Sequence, residues 1–246
     1  MTATLYGRAH LACIPMRAAP SHRSELVNQL LFNETYQVLE QQPEWLRIQC
    51  RHDSYEGWMA ANQFQPCTET VWETPWAAVT ATPMQWDATT QRCYCMGSPQ
   101  KDQIGKAISQ DAIARACQAA QALLNSPYLW GGRTCAGIDC SGLVQVAYRV
   151  GGWLLPRDAS QQLASGTPVA WGAQQRGDLA FFDNAKGAIT HVGIVLDAGS
   201  VLHASAWVRV DRLDAAGIWH QGVQTHRLAA LRRLAAPRVE GGWQPL

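Results

Sequence analysis

Residues 1–67 carry short alternating runs of apolar and polar positions, TYQVLEQ (35–41), EWLRIQC (44–50) and EGWMAAN (56–62), separated by Pro43 and the polar cluster His52-Asp53-Ser54. A period of two predicts strands, and turns this frequent predict a small all-β barrel with Trp45 and Trp58 filling its core. Ser24-Glu25 followed by LVNQLLF (26–32) suits a helical turn or a strand entering a hairpin equally well. Residues 68–106 mix Trp, Thr and Pro without a clean period, and SPQKDQIGK (98–106) has the composition of a linker. That stretch is expected to be a reduced second barrel or an extended connector packed against its neighbours.

From Ser109 the period lengthens: after Asp111, Ile113, Ala116, Cys117, Ala120, Leu123 and Leu124 recur at helical spacing until Asn125-Ser126-Pro127. A second helix is predicted over 140–150, with Leu143, Val144, Ala147 and Val150 on one stripe and Gly151-Gly152 as its stop. The runs 177–183, 188–197 and 200–210 are rich in β-branched and aromatic residues, and the sheet is expected to continue through 226–234. Helices followed by strands predict an α+β domain over 107–246, helices packed on an antiparallel sheet, preceded by the all-β barrel of 1–67.

Composition narrows the function. Of 246 residues 47% are hydrophobic and 16% charged, which excludes a disordered or coiled-coil chain, and the net charge of +1 is far from what phosphate neutralisation needs. Nucleic acid is therefore not an expected partner. The opening MTATLYGRAHLAC has no charged start or apolar core of a secretory signal, and no stretch reaches the roughly 18 apolar residues of a membrane span. A cytoplasmic protein without membrane contact, its eight cysteines free thiols, is expected.

Cys140 opens the second predicted helix, where unpaired N–H groups and the positive end of the dipole favour a thiolate. Such a nucleophile needs an imidazole, and His191 and His203 lie on consecutive predicted strands. A three-residue loop at Asp197-Ala198-Gly199 would pair Leu196 with Ser200 and place His203 opposite Gly193, so that both histidines share a face as diagonal neighbours. A two-residue loop would put them on opposite faces. The pattern fits a Cys-His dyad with His203 as orienter, against the alternative of three satisfied core residues.

Y-x-W-G-G (128–132), D-C-S-G-L (139–143), P-R-D-A-S-Q-Q (156–162), G-D-L-x-F-F (177–182), H-V-G-I-V-L (191–196) and H-A-S (203–205) together resemble the NlpC-type cell-wall cysteine peptidases, a papain-like family, over about residues 109–240. The resemblance implies Cys140 as nucleophile, His191 as base and His203 as third member, with no metal or organic cofactor. The segments 17–31 and 53–58 resemble the bacterial SH3-like module found in γ-D-glutamyl-L-diamino-acid endopeptidases. That subgroup cuts murein peptides with a free N-terminal L-Ala, and the partner implied here is L-Ala-γ-D-Glu-diamino acid.

By the same resemblance Asp158, Glu25 and Tyr55 would surround the free ammonium group, Asp139 and Ser141 would line the site, and Tyr128 would support the oxyanion with the Cys140 N–H. The bland alternatives are a helix N-cap for Asp139, a first-turn residue for Ser141, core aromatics for Tyr128 and Trp130, and surface ion pairing or core packing for Glu25 and Tyr55. Ala159 stands where the subgroup often has a second small polar contact, so only its backbone can bind there. Arg157 is read as a salt-bridging neighbour. Rival functions are an exported wall-remodelling endopeptidase and a non-enzymatic murein-binding adaptor. Cys93-x-Cys95 has the wrong spacing for a zinc pair, and Cys135 lies close enough in sequence for a disulfide with Cys140. His10, His22, His52, His220 and His226 carry no spacing signal, and the eleven tryptophans are expected in barrel and interface cores.

Overall fold

In a computed structural model the structure describes residues 4–76, 78–100 and 111–235. The second part of the expected linker (101–106), the onset of the helical period at Ser109 and the final residues 236–246 of the expected C-terminal domain lie outside the described residues.

Seven strands form the first sheet: β1 (Leu5–Arg8), β2 (Cys13–Arg17), β3 (Leu26–Leu31), β4 (Thr35–Gln41), β5 (Trp45–Cys50), β6 (Glu56–Ala60) and β7 (Pro66–Cys67), in the order β3-β2-β6-β5-β4-β1-β7. LVNQLLF is thus a strand. Alternation sends Ile14, Met16, Leu30, Tyr36, Leu46, Ile48 and Met59 into the module's core. Of the two tryptophans Trp45 is buried, against His22 with ring centroids 4.8 Å apart, while Met59, not its neighbour Trp58, points inward. Trp86 (63% exposed) and Trp130 (57%) likewise lie at the surface rather than in a core.

The next stretch is neither a second barrel nor fully extended. It holds a short helix α1 (Glu69–Glu73) and four strands, β8 (Ala78–Val79), β9 (Met84–Asp87), β10 (Arg92–Cys95) and β11 (Pro99–Gln100), paired as β9–β10 and β8–β11. Its Cys95 and Met96 join Leu31 of the first sheet in the core of the C-terminal domain, so one apolar cluster spans all three parts.

The C-terminal domain opens with α2 (Ala112–Ala122), capped by the Asp111 carboxylate, which accepts from the Ile113 N–H at 3.0 Å. The two-residue strands β12 (Arg133–Thr134) and β13 (Gly137–Ile138) lead into α3 (Cys140–Gly151), which ends at Gly152 with φ +111°, the left-handed stop that glycine adopts without strain. Arg115 of α2 donates to the Gly151 carbonyl at 3.1 Å, tying the two helices. After the single turn α4 (Ala159–Gln162) come β14 (Thr167–Val169), β15 (Leu179–Asp183), β16 (Ile189–Asp197), β17 (Ser200–Ser205), β18 (Trp207–Asp214), β19 (Gly217–His220) and β20 (Val223–Arg233).

These strands are antiparallel, as expected, but the sheet is not open. β20 pairs with β15 and also with β19, closing β15 to β20 into a six-stranded barrel with β14 outside on β20. The stretch 200–210 is two strands, because the chain reverses at Ala206 (φ +61°) and pairs Ser205 with Trp207. No helix among the described residues is long and apolar enough to cross a membrane.

Candidate active site

Cys140 is the first residue of α3 and is buried. Its cap, Asp139, accepts from the Gly142 N–H at 2.7 Å and the Gly131 N–H at 2.8 Å. Arg157 grips the same carboxylate with two nitrogens, at 3.0 and 2.5 Å, donates to Ser141 Oγ at 2.8 Å, and reaches Asn28 Oδ1 of the module at 2.9 Å. Asp139 is therefore the N-cap and Ser141 a first-turn residue, both held by a buried guanidinium, and Arg157 is the salt-bridging neighbour read from sequence.

Burial first, and then the Asp139 carboxylate, push the Cys140 thiol up to about 12, outweighing the helix N-terminus and Arg157. The sulfur lies against the Val192 N–H, one residue beyond His191. Burial, together with His203, His226 and Arg209, holds the His191 imidazole well below its ordinary pKa, so the base is neutral. Burial disfavours either charge alone, and the two appear together when the proton passes from sulfur to ring.

His191 and His203 meet through His191 Nε2 and His203 Nδ1, 2.8 Å apart. Gly193 faces His203 as the sequence predicted, but by a different route. The loop has two residues, with Asp197 opposite Ser200, and a bulge at Leu196 restores the register that a two-residue loop alone would have shifted by one.

Behind His203 stand three residues to which the sequence assigned no role, Arg209, Asp211 and His220. His203 Nε2 lies 3.0 Å from Asp211 Oδ2, which also accepts from Arg209 Nε at 2.8 Å, while His220 Nδ1 lies 2.9 Å from Asp211 Oδ1. His226 stacks on His191 with ring centroids 4.2 Å apart and planes within 24°, and Phe182 packs against His191 at 5.8 Å. The signal was the turn at Ala206: once the chain reverses there, His203 faces Arg209 and is diagonal to Asp211.

The other predicted residues are distributed as follows. Tyr128 is half-buried, and burial followed by the charge of Cys140 raises its phenol. Tyr55 is half-buried, and burial and then the charge of Asp158 push its phenol up to about 12. Asp158 is itself raised, by burial first and then by Asp139 and Asp53 against the opposing Arg157. Glu25 is exposed and accepts from Trp130 Nε1 at 2.6 Å. Ala159 is buried in the same apolar cluster as Cys140.

The seam itself is polar and buried. Glu34 of the module is fully buried and bridges Arg133, with both pairs of atoms at 2.9 Å, and Arg149. His52 lies 3.6 Å from Glu34 and 3.1 Å from Asp53, and Gln145 donates to Asp53 at 2.9 Å. Gly131 (φ +77°) lets the loop after Trp130 approach the module so closely that a Cβ there would sit 2.4 Å from the Leu26 carbonyl oxygen.

Comparison with known proteins agrees with this architecture. Residues 125–228 match the NlpC/P60 family and residues 16–64 the bacterial dipeptidyl-peptidase Sh3 domain. The chain is 39% identical over 101 residues to the gamma-D-glutamyl-L-lysine dipeptidyl-peptidase of Bacillus subtilis (strain 168), covering 40% of this chain and 33% of that protein. It is 45% identical over 87 residues to a probable endopeptidase of Corynebacterium glutamicum, covering 35% of this chain and 40% of that protein. The chain thus spans between a third and two-fifths of these two relatives' own length. A crystal structure of an NlpC/P60 family protein from Bacillus cereus superposes with a TM-score of 0.77 over 94% of this chain and all of that one at 18% identity, a likeness of fold. Residues 125–228 accordingly form an NlpC/P60 domain, and they stand behind an SH3-like domain of the bacterial dipeptidyl-peptidase type.

Proposed function

We propose that the protein is a cysteine endopeptidase that hydrolyses the γ-D-glutamyl–diamino acid bond of murein peptides bearing a free N-terminal L-Ala. Cys140 Sγ attacks the γ-carbonyl carbon while His191 takes the thiol proton, and the Cys140 N–H and Tyr128 hydroxyl receive the developing oxyanion. The same imidazolium returns the proton to the leaving α-amine of the diamino acid, leaving a thioester. Water, deprotonated by His191, then releases the L-Ala-γ-D-Glu acid.

The observation that carries the substrate reading is the half-buried carboxylate of Asp158, raised by burial and by Asp139 and Asp53, and near enough to Tyr55 of the SH3-like module for its charge to raise that phenol. A carboxylate held there at a cost is stabilised by an incoming ammonium group, whereas an acylated L-Ala brings neither the charge nor the space it needs. The name of the Bacillus subtilis relative points to a bond of the same kind. Because the L-Ala amine is free only after the peptide leaves the glycan, this reading carries with it a role in recycling wall peptides in the cytoplasm.

The test is hydrolysis of L-Ala-γ-D-Glu-meso-diaminopimelate, with and without an acetyl group on the L-Ala amine, by wild type and Cys140→Ala. Cleavage of the free-amine peptide alone, lost in the variant, is the expected result. Equal rates on both peptides would remove the amine pocket from the reading, and cleavage of neither would remove the substrate.

A further inference from the structure

The three residues behind His203 have a chemical consequence that follows from which atoms can carry hydrogen. Asp211 is nearly buried, with 7% of its side chain exposed, and faces three nitrogen donors: His203 Nε2, Arg209 Nε and His220 Nδ1. Burial alone would raise its carboxyl, but the hydrogen bonds from His203, His220 and Arg209 outweigh that and hold it below the ordinary carboxylate range. An ionised carboxylate has no hydrogen to give, so the proton between Asp211 and His203 sits on His203 Nε2. His203 is kept neutral, chiefly by burial, and its Nδ1 is then a bare lone pair. That lone pair can only accept, so His191 Nε2 carries the hydrogen of the 2.8 Å contact. In a neutral imidazole this leaves Nδ1 of His191 bare, the ring nitrogen free to take a proton from Cys140.

We infer that Asp211 is the positioning residue that sets the tautomer of the catalytic base from two side chains away, through His203. Arg209 and His220 orient it, one on each oxygen. Each hydrogen in the row points the same way, from His191 toward Asp211, and the row is closed by a group that cannot reverse it. When His191 takes the thiol proton its positive charge faces a continuous line of acceptors ending in a fixed anion, which lowers the barrier to that transfer. The inference rests on the reading of Cys140 and His191 as nucleophile and base, and not on which peptide is cut. The other titratable or charged groups facing this row are His226 from β20 and, at the Cys140 end, Asp139 and Arg157.

The experiment is 15N NMR of the full chain with labelled histidine, at neutral pH, on wild type, Asp211→Ala and Asp211→Asn. Wild type is expected to show protonated Nε2 and bare Nδ1 on both His191 and His203. Asp211→Ala is expected to give mixed tautomers at His203 and a kcat lower by about tenfold or more, with KM within about twofold. Asp211→Asn can keep an oxygen toward His203 while His220 changes its own tautomer, so it should retain the wild-type pattern at His191 with an intermediate kcat. A hydrogen on His203 Nδ1 in the wild type overturns the inference, as does Asp211→Ala with wild-type tautomers and kcat. Should Asp211→Ala fail to fold, the wild-type and Asp211→Asn spectra decide alone. The spectra need no substrate, so failure of the test peptides to be cleaved would count against the proposed substrate and leave this assignment to stand or fall separately.

Discussion

Replacing Glu34 by glutamine tests whether the buried ion cluster fixes the SH3-like module to the peptidase domain. Glu34 is wholly buried, accepts from the Leu31 N–H at 2.8 Å, and is the shared counter-ion of two guanidinium groups that are themselves at most 1% exposed. Burial opposes its charge, but Arg133, His52 and Arg149 together outweigh burial and hold the carboxyl far below its ordinary range. Glutamine keeps the shape but turns an NH2 group toward a guanidinium and leaves both arginines without their anion. Breaking a buried pair in this way costs about 3–5 kcal/mol, which for a chain of this size lowers the melting temperature by roughly 6–20 °C. The lowered carboxyl also fixes the sign of the pH dependence. Its contribution is complete above the unfolded carboxylate pKa of about 4.3 and is lost as the pH falls through that value toward the lower folded one, a loss that Glu34→Gln should not show. Thermal and urea denaturation followed by circular dichroism at pH 7 and at pH 4 measure both effects. A Glu34→Gln protein within about 1 kcal/mol of wild type at pH 7 would refute the reasoning.

Three further outcomes are expected. Alkylation of Cys140 by iodoacetamide should be slow at neutral pH and still accelerate above pH 9, since the thiol is pushed up to about 12 and the thiolate fraction grows with pH; a plateau reached below pH 7 would show a preformed thiolate. Gly131→Ala puts a Cβ 2.4 Å from the Leu26 carbonyl oxygen at a φ of +77°, and should cost at least about 1–3 kcal/mol by differential scanning calorimetry; an unchanged melting temperature would mean the module is not held where described. Arg157→Lys cannot reproduce the fork on Asp139 together with the bonds to Ser141 and Asn28, and should lose about 1.5–3 kcal/mol of stability along with peptidase activity, whereas wild-type behaviour would show that charge alone suffices.

Much of this was legible from local pattern. The runs 35–41 and 44–50 became β4 and β5 almost to the residue, because alternation survives wherever one face is buried. Phase was harder: one position separates Trp58 from Met59, and side-chain size pointed to the wrong one. The reversal at Ala206 carries no Gly or Pro; its carbonyl accepts from the Tyr128 N–H at 2.9 Å, so a partner far along the chain supports a backbone shape the local sequence does not announce. Missing that turn hid Arg209 and Asp211 from view. Closure of the barrel and the Glu34 cluster were hidden for a related reason, since Arg133 and Arg149 stand 99 and 115 residues from their counter-ion and nothing in either neighbourhood marks the pairing.

The barrel's seam has a consequence for how the molecule is made. All seven strands of the first sheet come from the first 67 residues, so that sheet can pair while the rest of the chain is still being synthesised. The barrel has no such freedom, because β20, the last of the described strands, is the one that joins β15 to β19. Between the appearance of Asp183 and that of Val223 the ribosome adds about forty residues, on the order of 2–8 s of translation. For those seconds β15 is an uncovered edge rich in phenylalanine, open to any strand that meets it, and the nascent chain is most in need of a chaperone at the moment when both site histidines are already in place.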